Sequence, residues 1–140
     1  MAESVPDQGW PLTQLPGLSD RDRQQLAALG LHSSRDLLQL RSEAEQMELA
    51  QKLRQPVQRL RKWQALAQLS HLPSVNHRWC GVLLHTGIGS LQMLAIQSPP
   101  QLHQRLHRLQ RSLLGDRSPA PTLGQVDRWI REAQQYLQRR

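Results

Sequence analysis

Leu123, Val126, Ile130, Ala133 and Leu137 are separated by three and four residues, the spacing of one buried stripe along a helix. Leu102, Leu106, Leu109 and Leu113 fall in the same way within an arc of about 60° at about 100° per residue. Around these runs, start and stop signals divide the chain into short helices. Ser19 to Asp22 has capping-box spacing, with Asp in the place of Glu or Gln. Gly30 suits the left-handed position just past that helix. Ser33 and Ser42 start two more helices, and Pro56 fits the first turn of a fourth running to Ser70. Asn76 can cap a helix ending at Gly87, and Ser90 one ending near Ile96. Ser98 opens a helix with Pro99 and Pro100 in its first turn, and Gly115 closes it. Asp116 to Pro121 reads as a linker, and Thr122 to Gln125 as a capping box opening the last helix. The pattern predicts an all-α chain of eight short helices with no strand.

The same pattern occurs twice. Leu15-Pro-Gly-Leu18 aligns with Leu72-Pro-Ser-Val75, and Leu26-Ala-Ala-Leu-Gly-Leu31 with Leu83-Leu-His-Thr-Gly-Ile88. Ser33 then meets Ser90 and Leu37 meets Leu94, all at an offset of 57, while Trp63 to Leu69 matches Trp129 to Tyr136 at 66 to 67. A period of this size marks a repeated supersecondary unit. The expected organisation is a flexible lead-in over 1–11, a helical repeat over 12–70 and a second over 71–140, packed as one compact unit. Trp63 and Trp129 take equivalent places in the closing helices, where a core role is expected.

Composition supports helix: 26 Leu, 20 Gln and 16 Arg stand against 2 Lys and no Phe. One cysteine, Cys80, excludes an internal disulfide framework and a cysteine-cluster metal site. The longest apolar runs are four residues, which excludes a membrane span, and the start lacks the pattern of a secretory signal. A soluble, cytoplasmic protein is expected. The net charge of +7 is segregated. Residues 1–48 carry a net −4, residues 49–115 contain nine bases and no acid, and residues 116–140 add +2. Five of the six histidines also lie in the acid-free interval. So many bases with few carboxylates nearby in sequence suggest an anionic partner.

A small turn, a helix, a tight glycine turn and a second helix make a helix-hairpin-helix. Here it runs Leu15-Pro-Gly-Leu-Ser19, a helix, Leu29-Gly-Leu31, then Ser33 and a second helix. In phosphate-binding hairpins, small residues let backbone N–H groups at a helix N-terminus approach an anion. The full repeat, with Trp63 and Trp129 in its closing helices, resembles a bacterial, cyanobacterial-type tandem helix-hairpin-helix family of unknown function, over about residues 12–138. The resemblance implies an all-helical fold and a nucleic-acid or protein-binding role, with no activity attached. Phosphate-binding hairpins use Gly-apolar-Gly. The first repeat has Gly17-Leu18-Ser19, with one glycine kept, and the second has Ser74-Val75-Asn76, with both lost. The hairpin backbone candidates are Gly17, Ser19, Gly30, Ser74, Asn76 and Gly87.

The helix after Pro100 offers the main candidate surface: His103, Arg105, His107, Arg108 and Arg111 lie opposite its leucines. Arginine forks suit phosphate and carboxylate oxygens alike. Arg54, Arg59, Arg61 and Lys62 form a second basic cluster around an inward Leu60, and Arg78 stands beside Trp79. His103 and His107 have the spacing of two metal ligands but no acid near in sequence, so no metal and no cofactor are expected. Cys80 reads as a buried structural thiol. No carboxylate pair, phosphate loop or nucleophile triad is visible, so the chain is read as a non-catalytic binding module. Its expected partner is nucleic acid, DNA foremost, bound without regard to sequence. The alternative is a protein-interaction adaptor that docks an acidic protein or a second copy of itself.

Overall fold

The computed structural model describes residues 9–114 and 120–138, without the side chains of 112–114. Its elements are a 3-10 turn at Leu12–Gln14 and the helices α1 (Asp20–Ala28), α2 (Ser34–Leu38), α3 (Glu43–Leu53), α4 (Val57–Ser70), α5 (Asn76–His85), α6 (Leu91–Ala95), α7 (Pro99–Leu114) and α8 (Leu123–Gln138). Among the described residues there is no strand, only an isolated bridge between Pro11 and Ser33. None of these helices is long and apolar enough to cross a membrane. The expectations for residues 1–8, for Leu113, for a stop at Gly115 and for a linker beginning at Asp116 lie outside what is described.

The helix starts follow the polar signals. Ser19 and Ser33 form capping boxes with Asp22 and Asp36. Ser42 and Ser90 accept from the backbones of Glu45 and Met93, and Thr122 and Gln125 bond reciprocally. Pro56 is the N-cap of α4, one residue before the first turn in which the sequence placed it. The two hairpin turns close alike. Gly30 (φ +84°) donates to Ala27 and Leu31 to Leu26, and 57 residues on Gly87 (φ +93°) donates to Leu84 and Ile88 to Leu83. A left-handed residue there leaves glycine as the unstrained choice.

α4 packs on α2, α3 and α5, and α8 packs on α6 and α7. α4 is longer than the helices before it, α7 and α8 are equal in length, and the α4–α5 contact joins the halves. One continuous apolar cluster runs through both, from Leu26, Leu37, Trp63 and Leu69 to Leu83, Leu94, Leu106 and Trp129. On α8 the buried line is Val126, Trp129, Ile130 and Ala133, and Leu123, expected inside, is exposed. On α7, Leu102 and Leu106 are buried with Gln110, while Leu109 is only half-buried. The stripe is rotated from the all-leucine arc, because α8 covers α7 from one side.

The lead-in expected over 1–11 stops being loose by Trp10. That residue is only 4% exposed, its indole donates to the Ser70 carbonyl at 2.9 Å, and its ring meets His77 edge-on at 4.3 Å. Its backbone N–H donates to Ser34 Oγ, and its carbonyl accepts from Ser34 N–H. The Ser34 hydroxyl also lies within hydrogen-bond distance of His71 Nε2, at 3.0 Å. Burial, and then the positive charge of Arg35, hold the His71 pKa below its ordinary 6.5. The unfolded chain therefore takes up this proton first. The contribution is fully present above about pH 6.5 and is lost as pH falls through the lower folded value. Unfolding free energy should decline on acidification below about pH 6.5, and His71→Gln should flatten that decline in denaturant titrations.

Candidate functional site

The described surface holds a cleft of about 690 Å³ at the seam between the halves. The turn before α1 supplies Pro16 and Gly17, α4 supplies Arg59, Lys62, Trp63 and Leu66, and α5 supplies Gly81, Leu84 and His85. No carboxylate lines it. Gly17, Arg59 and Lys62 are separate candidates in the sequence, and the fold brings them together. His85, Trp63 and Gly81 join them without a candidate role in the sequence. Gly81 was the readable signal, since a glycine inside a helix costs about 1 kcal/mol against alanine. Its reason is close approach: a Cβ there would lie 3.0 Å from Pro16 Cγ.

Arg59 is held in place. Its guanidinium donates to Asp22 Oδ2 at 2.8 Å and Gln55 Oε1 at 3.2 Å, and lies 5.6 Å from the Trp63 ring centre. Burial would raise the Asp22 pKa, but hydrogen bonds from the Ser19 backbone and hydroxyl, with Arg59 beside it, hold it below 3.8. Lys62 lies on the same helix with no carboxylate within ion-pair distance among the described residues. The acid-free interval is thus partly served from outside itself. Asp22 pairs with Arg59, Glu43 with Arg61 at 3.8 Å, and Glu48 with Lys52 at 3.3 Å. Arg61 lies outside the cleft lining.

The two entry turns differ in what fills them. At the second, Ser74 N–H donates to Glu132 Oε1 at 3.0 Å, its hydroxyl donates to the other carboxylate oxygen, and Trp129 Nε1 donates to its carbonyl at 3.0 Å. An internal carboxylate already holds the backbone donor that an external anion would need. Asn76, with φ +46°, is the first residue of α5 and accepts from Arg78 N–H through Oδ1 at 2.8 Å, while Val75 takes the N-cap place expected of Asn76, with no side-chain cap hydrogen bond. At the first turn, Gly17 (φ +84°) stands in the place of Ser74, and Leu66 in that of Glu132. Leu66 Cδ1 lies 3.3 Å from where a Gly17 Cβ would sit, so the apolar side chain flanks this turn. The Ser19 N–H is taken by Asp22 Oδ2.

The α7 candidates separate. Arg108 and Arg111 are exposed with no carboxylate within ion-pair distance among the described residues. Arg105 instead donates to the Thr86 carbonyl and, at 3.4 Å, to Gln97 Oε1, clipping α7 to the second hairpin turn. No residue of α7 lines the cleft. His103 and His107 are half-buried and meet edge-on at 4.3 Å, flanking the packed side of α7 rather than lying opposite it. Among the described residues, no three His, Cys, Asp or Glu side chains converge as a metal site. Arg78 is exposed, while Trp79 leans on Trp129 at 5.5 Å. Cys80 is buried, and burial pushes its thiol up to about 12, far above the range of a reactive thiolate.

Fold and site together define an all-helical protein with a basic cleft lined by the turn before α1, α4 and α5. The chain belongs to the family described as domain of unknown function (DUF4332), whose match runs over residues 16–136. No curated protein and no solved structure matches it.

Proposed function

We propose that the chain is a tandem helix-hairpin-helix module that binds nucleic acid without catalysis and without regard to sequence. The cations that would serve it are Lys62, beside the cleft, and the exposed Arg108 and Arg111 of α7. The supporting observation is the asymmetry of the two entry turns. Glu132 fills the second, whereas Gly17 opens on a cleft lined by Arg59, Lys62 and His85 and by no acid. Backbone donors and arginine forks position a phosphate backbone without reading bases. The test is anisotropy of labelled strands and duplexes of unrelated sequence from low to physiological salt. Log affinity should fall linearly with log salt, with a similar slope for each sequence.

A second reading, docking of an acidic protein, draws on Met93 and Ile96. Both are exposed apolar residues on or just after α6, and the next residue, Gln97, is a partner of Arg105. Under that reading duplex and strand bind weakly even at low salt.

A further inference from the structure

The cleft has a shape that phosphate contact alone does not use. A duplex presents phosphates on a convex surface with its bases stacked inside, so it can meet only the cationic rim. The volume, about 690 Å³, falls in the range of sites that enclose a small ligand. Below the rim the walls are apolar, with Pro16, Leu66 and Leu84 among them. At the rim stands a guanidinium already fixed by Asp22 and Gln55, lying over an indole and still 44% exposed. Bases freed from a stack pack on aromatic rings and guanidinium planes, and a pre-positioned arginine loses little freedom in receiving one.

We propose that this cleft receives one unstacked nucleotide of a single strand, its base against Arg59 and the apolar walls and its phosphate toward Lys62. The proposal rests on the nucleic-acid reading above and adds a preference for single-stranded over duplex substrate. Stacking of a base on such a platform corresponds to about tenfold or more in affinity.

Anisotropy with a labelled homopyrimidine strand of about twelve nucleotides, set against its duplex and an abasic strand of equal length, tests it. The base-bearing strand should bind wild-type protein about tenfold more tightly than either comparison at one salt concentration. Leu84→Trp, which fills the cleft from the half-buried side of α5, should reduce the strand to the duplex level. An abasic strand that binds wild-type protein as well as the base-bearing one overturns the proposal, whatever the fate of the variant. So does a strand affinity untouched by Leu84→Trp when circular dichroism shows the variant folded. A free mononucleotide that saturates at the same concentration as the strand would assign the cleft to a small ligand instead and also overturn it. Equal binding of strand and duplex removes this inference alone, whereas no binding of either removes the parent reading with it.

Discussion

Trp10→Ala is expected to lower the unfolding free energy by about 3–5 kcal/mol, the cost of removing a large aromatic side chain from a packed interior. The indole is buried against His77 and donates to the Ser70 carbonyl, so truncation leaves a cavity and removes that carbonyl's indole donor. It also loosens the attachment of the segment to Ser34, and through it to His71. Urea denaturation followed by circular dichroism gives the number, and Met47→Ala, at an exposed position of α3, should stay within about 0.5 kcal/mol of wild type. A loss below about 1 kcal/mol for Trp10→Ala would mean that residues 9–11 are as loose as their glycine and proline suggest. The melt should remain a single transition, because the apolar cluster is continuous from Trp10 to Ala133.

Local chemistry made the helices readable. Serine and threonine caps, the glycines past α1 and α5, and the three-and-four spacing on α8 act within a few residues of themselves, so α1, α2, α3, α6 and α8 begin where the signals stand. Contacts between distant residues were less legible. Trp10 follows a glycine and precedes a proline, local marks of a loop, and partners far along the chain, Ser34, Ser70 and His77 among them, make it core. Gln110 replaces Leu109 on the buried line of α7 because the position of α8 decides which side is covered. Charge segregation suggested bases without partners, yet acids of the first third fold back onto α4. Glu132 was the hardest to foresee. Its value lies in a hydrogen bond to Ser74, which it follows by 58 residues, and in the leucine that stands in its place in the first half.

That distribution of partners decides which cations a binding experiment should reverse. Arg59 is committed to Asp22 and Arg105 to the Thr86 carbonyl, so reversing either would disturb the fold as well as the surface. Lys62, Arg108 and Arg111 are exposed and carry no such commitment, and the triple change to Glu should leave the melting transition in place. If all three meet phosphates, the log–log salt slope on duplex should fall by about two to three units, at about 0.9 per contact, and by about two on single strands, at about 0.7. The fall should be similar for unrelated sequences, because phosphate contacts carry no base information. Arg41→Glu, an exposed change in the acidic third of the chain, should leave the slope where it was. Anisotropy from low to physiological salt, with wild type and variants side by side, reads all of this. A slope unchanged by the triple reversal, or no binding even at low salt, would overturn the nucleic-acid reading of this surface. If the same reversal instead abolished recovery of one acidic protein, the arginine forks would be serving carboxylates.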